Sequence, residues 1–351
     1  MIAAWSGWGA LPGISTDDPQ WQAEHTRLHE LLDSTELAHA RAGTLNAHYT
    51  DPTVSQAIWE AIGRAGFSGG PVLEPGCGAV VFIDQAPPEA VMVGVECDPI
   101  TARAAAALYP SAQIRCEGFE DTRVEAGAFA LAIGNVPFGK VRLYDPIHNA
   151  ANFSIHNHFL VKSLDLVGVG GYVAVLTSHF TSEIRDATAR EHMAARADLV
   201  GALRLPAKAF LRVAGTGVVQ DLLIWRVREQ GREPTADTRL YLQSGMTTVR
   251  DEHGYRREVE LNKYFLAHSD HILGELCWRQ RQYSRDALDI DGPVGEELAR
   301  LVAGRLTRII DNGLDAGLGV DRHTGVHCHR QSRCLRHRSG HASRGKHRGR
   351  G

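Results

Sequence analysis

The sequence predicts an α/β fold: a doubly wound, mostly parallel seven-stranded sheet preceded by an N-terminal helical segment. Two observations carry that expectation. Between about residues 71 and 227, short apolar runs bounded by turn residues alternate with stretches of helical periodicity, the pattern of strands joined by crossover helices. Successive runs also end in a polar residue, namely Glu74, Glu96, Glu117 and Asn135. Ligands of such sheets sit at the carboxyl ends of the strands, so these four residues would share one edge.

The elements follow in order. Trp5-Ser-Gly-Trp-Gly and Leu11-Pro-Gly are loop chemistry, and from Trp21 to about Ala42 Leu28, Leu31, Leu32 and Leu37 recur at helical spacing. Asp51-Pro52 suits the start of a helix from about Thr53 to Gly66. Val72-Leu73-Glu74-Pro75-Gly76-Cys77-Gly78 reads as a buried strand running into a glycine turn, and Val91–Glu96 as the next strand. Glu96 lies about 20 residues past Gly76, the spacing at which nucleotide-binding α/β folds place a ribose-binding acid. The alanine-rich stretch Pro99–Tyr109 is a helix, and Gln113–Phe119 a third strand with its loop. Phe129–Ile133 is a fourth strand, followed directly by Asn135-Val136-Pro137-Phe138. A helix at Phe153–Val167, a strand at Tyr172–Thr177 and a helix at Ile184–Ala195 come next. Leu199–Leu205 and Val218–Trp225 close the sheet, with Ala214-Gly-Thr-Gly217 in the loop between them.

Four segments result. Residues 1–66 hold the helical segment, 67–228 the sheet, 229–320 a weakly patterned extension or the start of a further domain, and 321–351 a basic tail. The extension ends in a helix from about Gly295 to Asn312. The tail is rich in Arg, His, Gly and Ser with almost no apolar residues, so it is expected to be disordered. Its abrupt onset reads as a frameshifted or truncated end, with a nucleic-acid arm as the functional alternative. His327, Cys328, His329 and Cys334 match no standard zinc spacing.

Composition narrows the class. Residues 1–320 hold 29 Lys and Arg against 40 Asp and Glu, a net charge of −11. DNA affinity rests on phosphate contacts from Lys and Arg, so a DNA-binding role needs a local basic groove or a partner. No apolar run of about 18 residues predicts a membrane span, and the N-terminus lacks signal-peptide character. The six cysteines keep no framework spacing and read as reduced thiols of a cytoplasmic protein. His148, His156 and His158 have no carboxylate or cysteine at ligand spacing, so no metal is assigned.

Asn135-Val-Pro-Phe138 carries the chemistry. A side-chain amide, a backbone carbonyl and a ring at one sheet edge suit a planar substrate with an exocyclic amine. The amide oxygen of Asn135 and the carbonyl of Val136 would accept from the amine, Phe138 would stack on the ring, and Pro137 would stiffen the turn.

These residues resemble the catalytic motif of amino-methyltransferases acting on adenine N6. Over about residues 1–320 the chain resembles the N6-adenine DNA methyltransferase domains fused to helicases of phages and mobile elements, and is similar to type I restriction modification subunits. The resemblance implies a Rossmann-like, S-adenosylmethionine-dependent fold. It implies that Tyr49 and Thr50 close over the methionine end of S-adenosylmethionine, which Glu74, Gly76 and Gly78 hold. Glu96 would bind the ribose hydroxyls, and Glu117 and Phe119 the adenine of the cofactor. It implies DNA as a partner, base flipping, and a helicase domain or specificity subunit supplied by another chain. Such proteins belong to restriction-modification or antirestriction assemblies.

Two positions depart from the pattern. Val136 stands where proline is commoner, a change that preserves a backbone carbonyl contact. Val80 stands where a third glycine is usual; a β-branched residue there restricts the backbone and would crowd the cofactor, predicting weaker S-adenosylmethionine binding that Val80→Gly tightens. Two alternatives remain: a glutamine-amide or RNA methyltransferase, and a truncated, catalytically weakened module associated with nucleic acid. A nicotinamide dehydrogenase is disfavoured by the failed Gly-x-Gly-x-x-Gly pattern, whose last position is Val81.

Overall fold

A computed structural model describes residues 8, 19–46, 50–183, 185–209, 218–281 and 284–319. Tyr49, the Gly-Thr loop at 214–217 and the basic tail with its His and Cys residues lie outside the described residues. The described part of residues 1–320 forms one compact unit.

Strands β1 (Gly70–Pro75), β2 (Ala90–Glu96), β3 (Gln113–Cys116), β4 (Phe129–Asn135), β5 (Val167–Ser178), β6 (Ala197–Leu205) and β7 (Gln220–Val227) form one sheet in the order β3-β2-β1-β4-β5-β7-β6. The first five pair in parallel, whereas β7 runs antiparallel between β5 and β6. This is the Rossmann-like α/β fold the sequence predicts. Winding reverses where β1 pairs with both β2 and β4, and that reversal opens a crevice at the strands' carboxyl ends.

Side chains alternate across the sheet because the strand period is two. Val72, Leu131, Ala174, Leu176, Leu222 and Ile224 face one core, closed by α3 (Pro52–Arg64) and α11 (Gly295–Asp315). Leu73, Ala132, Val173, Val175, Leu223 and Trp225 face the other, closed by α6 (Ile155–Leu166) and α8 (Thr188–Arg196). In α11, Leu298, Val302, Leu306, Ile309 and Ile310 are buried along one face, the stripe of an amphipathic helix. Arg64 and Asp311 clamp α3 to α11 through two bonds of 2.6 and 2.9 Å.

Two expectations need correction. The helix expected at Ile184–Ala195 is divided: a short helix α7 (Phe180–Glu183) precedes α8, which begins at Thr188. Asp186 accepts the Thr188 amide at 3.0 Å, which starts the second helix late. The weakly patterned extension contains a second sheet of four strands, β8 (Ser244–Asp251), β9 (Arg256–Asn262), β10 (Glu275–Arg281) and β11 (Ser284–Asp291), in the order β11-β10-β8-β9. It is tied to the main sheet by the Leu273 amide on the Arg204 carbonyl at 2.9 Å, and by the Ala202 amide on the Tyr264 hydroxyl at 3.0 Å.

Candidate active site

A cavity of about 270 Å³ opens at the crevice. Its wall contains Thr50, Glu74, Gly76, Gly78, Glu96, Glu117, Phe119, Asn135, Val136 and Pro137, so residues spread over 88 positions of sequence share one space because four neighbouring strands end there. Phe138 is buried and is not part of that wall.

The turn after β1 needs glycine. Gly76 and Gly78 have φ of 68° and 47°, the left-handed region that L side chains rarely adopt. A Cβ on Gly76 would also lie 3.4 Å from Pro137 Cδ and 3.5 Å from Phe159 Cε1, which brings the cofactor-type turn against the Asn135 motif. The Gly78 amide donates to Glu96 Oε2 at 2.9 Å, and the Asp98 amide to Glu96 Oε1 at 2.8 Å. One carboxylate therefore shapes the turn and the start of helix α5 (Pro99–Leu108), where Asp98 accepts the Ile100 and Thr101 amides.

Val80 corrects the crowding expectation. Its φ is 59°, the left-handed conformation a glycine takes easily, and its side chain is buried in the core rather than in the cavity wall. Glycine is suited to the position because of the backbone, and the isopropyl group points away from ligand space.

Five carboxylate residues, Glu74, Glu96, Asp98, Glu117 and Glu120, line the cavity, and no Lys or Arg does among the described residues. Burial holds the Glu74 carboxyl well above the usual carboxylate range, against the Ile83 and Phe82 amides, which pull it down. Glu74 Oε2 is buried with no hydrogen-bond partner. Glu96 is raised by burial, again offset by the Asp98 and Gly78 amides. Glu117 pairs with Arg115 at 2.8 Å. Such a site fits a cation carrying N–H donors and repels phosphate, so a dinucleotide is disfavoured although a glycine turn is present. The ammonium and ribose hydroxyls of S-adenosylmethionine are donors to such carboxylate acceptors, and its sulfonium is a positive charge that they favour. Burial raises the Cys77 thiol of the wall, and the Cys97 thiol is pushed up to about 12 by desolvation and the neighbouring Glu96 carboxylate, although that residue is exposed.

At the end of β4, Asn135 Nδ2 donates to the buried Thr50 hydroxyl at 3.2 Å. The Val136 amide continues the β4–β5 ladder by donating to the Leu176 carbonyl at 3.0 Å. Phe119 packs on Phe159 with ring centroids 4.7 Å apart. Behind it lies a group that residue spacing could not show. Lys162 Nζ donates to the Phe119 carbonyl at 2.6 Å and to Asp145 Oδ2 at 2.8 Å, and lies 4.9 Å from the Phe119 ring centroid. His158 Nε2 meets the same Asp145 oxygen at 3.1 Å. All three side chains are buried. Burial pushes the Asp145 carboxyl up, yet Lys162 and His158 together with the His148 amide hold it far below the usual range.

Comparison with known proteins follows this geometry. Over 190 residues the chain is 28% identical to Defense against restriction protein B of Escherichia phage P1, a match spanning 52% of this chain and 8% of that much longer protein. The methyltransferase subunit of a type I restriction-modification system from Streptococcus thermophilus superposes with a TM-score of 0.47 at 11% identity, covering 86% of this chain and 68% of that one. A class I S-adenosylmethionine-dependent methyltransferase of Listeria monocytogenes gives a TM-score of 0.46 at 14% identity, covering 67% and 83%. No protein-family model matches the chain. No helix among the described residues is long and apolar enough to cross a membrane.

Proposed function

We infer that the chain is an S-adenosylmethionine-dependent methyltransferase acting on adenine N6 in DNA, and that it corresponds to one segment of a larger antirestriction protein. The observation that carries this reading is the carboxylate-lined cavity ending at Asn135-Val136-Pro137. Glu74, with its unpartnered oxygen, and Glu96 would hold the cofactor's donors, Gly76 and Gly78 would let it approach the backbone, and Phe119 would pack against its adenine. When bound, the cofactor supplies an electrophilic methyl group.

Methyl transfer to an aromatic amine needs orientation more than acid–base help. The Asn135 amide oxygen and the Val136 carbonyl accept hydrogen bonds from the amine, favouring the tetrahedral nitrogen whose lone pair can attack. Thr50 holds the Asn135 amide nitrogen and so sets the rotation of that group. The relative's description supports the antirestriction setting, and a helicase or specificity partner belongs to that same reading.

The test joins two measurements. Calorimetric titration with S-adenosylmethionine should show binding to the wild type and equally to Asn135→Ala. Tritiated methyl incorporation into DNA, with nucleoside analysis, should give N6-methyladenine with the wild type only. Loss of one preorganised polar group costs about 3 kcal/mol or more in the barrier, a drop of over a hundredfold. Methyl on cytosine C5, or full activity in Asn135→Ala, would overturn the assignment.

A further inference from the structure

The loop between β4 and α6, residues 136–154, is cross-braced on its inner side. Asp145 accepts the Ile147 and His148 amides at 3.2 Å, besides Lys162 and His158. Asn149 donates to the Leu143 carbonyl at 2.8 Å and accepts the Phe153 amide at 2.7 Å. The Ile155 amide donates to the Val141 carbonyl at 2.8 Å. Leu143 turns into the cavity wall. The same loop leaves Val141 49%, Tyr144 85% and Ile147 63% exposed. A loop held this firmly is presenting its apolar side chains to solvent, and clustered exposure of that kind marks a binding surface.

A second exposed ring lies on the same edge. Asn135 is opposite Leu176 in the β4–β5 pair, and Phe180, 55% exposed, follows four residues later at the start of α7. It packs against His179 with centroids 4.2 Å apart and the rings tilted by 34°. The buried Thr181 and Ser182 anchor α7, through Thr177 at 3.1 Å and Asp221 at 2.5 Å. The base of the loop adjoins the chain that follows α7: Phe153 meets His192 of α8 edge-on at 5.1 Å, and Arg142 lowers the pKa of Asp186 as a minor cause beside the Thr188 hydrogen bonds, while His179, next to Phe180, adds to burial in lowering the pKa of His156 at the start of α6. The exposed cations Lys140 and Arg142 stand within four residues of Tyr144, and the exposed Arg185 stands five residues after Phe180. Arg185 pairs with Glu260 at 3.2 Å, and Asp186 and Glu191 are exposed acids of the same stretch, whereas Glu183 is taken up by Arg204 at 2.5 Å.

We propose that this lip, built on Tyr144 and Phe180 with Lys140 and Arg142, grips the DNA strand flanking the target adenine by base stacking and phosphate contact. Rings interleaved with Lys and Arg are the chemistry of a single-strand platform. A local cationic rim also answers how a body of net charge −11 could approach a phosphate backbone. The proposal rests on the methyltransferase reading for its target but not for its test.

The test uses the full 351-residue chain and a single-stranded oligonucleotide with 5-bromodeoxyuridine beside one adenine. Ultraviolet crosslinks mapped by mass spectrometry should fall on Tyr144 or Phe180. The double variant Tyr144→Ala/Phe180→Ala should lose about tenfold or more in affinity by fluorescence anisotropy, with an unchanged melting temperature because both rings are exposed. Tyr144→Phe and Phe180→Tyr keep a ring and should bind as the wild type. Wild-type affinity in the double alanine variant, or crosslinks confined to other segments, would overturn the proposal. So would a self-associating wild type that the double variant makes monomeric, since the patch would then cover a second copy. Lip-dependent binding without methyl transfer would leave the lip standing and remove the enzymatic reading. Methyl transfer with an unchanged KM for DNA in the double variant would do the reverse.

Discussion

Val80 offers a prediction whose magnitude can be worked from the backbone. At φ 59° and ψ 28° it occupies a conformation that costs an L-residue about 1–2 kcal/mol, and branching at Cβ adds to the strain. Its side chain is buried, each carbon stabilising by about 0.8 kcal/mol. Val80→Ala removes two carbons, about 1.6 kcal/mol, and keeps most of the left-handed penalty. Val80→Gly removes a third carbon and adds unfolded-state freedom worth about 0.4–1 kcal/mol, but relieves the 1–2 kcal/mol of strain. The two variants should therefore come out level in urea denaturation, each about 1–2 kcal/mol below the wild type with unchanged m. Without strain, glycine would fall more than 1 kcal/mol below alanine by the same reckoning, and that result would refute the argument. Because the side chain faces the core, S-adenosylmethionine affinity in the glycine variant should stay within about threefold of wild type. A tenfold gain would mean that Val80 does crowd the ligand.

Further expectations concern the buried charges. Glu74 has its carboxyl raised by burial, so its contribution to stability is present below the ordinary value of 4.5 and is lost as pH rises through the folded one. Glu74→Gln should thus melt higher than the wild type at pH 8, with the gain shrinking towards pH 5, while S-adenosylmethionine binding is lost; a gain independent of pH would contradict this. Asp145 is depressed, so its contribution is present above 3.8 and is lost as pH falls below it. Lys162→Met leaves that buried carboxylate without its cation, facing only His158 and the Ile147 and His148 amides, and should cost about 3–5 kcal/mol at pH 7, measured by urea denaturation. A cost below about 1 kcal/mol would mean that water reaches the cluster.

The main sheet was legible because its strands are continuous apolar runs buried on both faces, as in β4, where Leu131, Ala132 and Ile133 are all buried. Glu74, Glu96 and Asn135 were legible because a polar residue ending such a run has few places to go except the crevice. The antiparallel insertion of β7 was not, since Leu199–Leu205 and Gln220–Val227 carry equal apolar patterns and neither shows its neighbour. The second sheet escaped because β8 and β9 are only partly buried and alternate weakly. Asp145, His158 and Lys162 are 13 and 17 residues apart, a spacing without local meaning until the loop folds back on α6. The direction of Val80 depended on a left-handed backbone, which reverses the side chain a strand or helix pattern would assign.

The clamp between α3 and α11 bears on how the chain acquires its shape. Tyr172, in the middle of the main sheet, donates from one hydroxyl to the Ala65 carbonyl at 3.1 Å and the Leu318 carbonyl at 2.7 Å. One core layer beneath the cavity is therefore assembled from the beginning and the end of the compact unit. Loop closure over such separations slows folding, and during vectorial synthesis the strands of the crevice must wait for α11 before that layer is sealed. Nascent chains halted before residue 298 should remain sensitive to pulse proteolysis, and those halted after full emergence of residue 319 should resist it. The cavity would then gain rigidity only after α11 has emerged and docked.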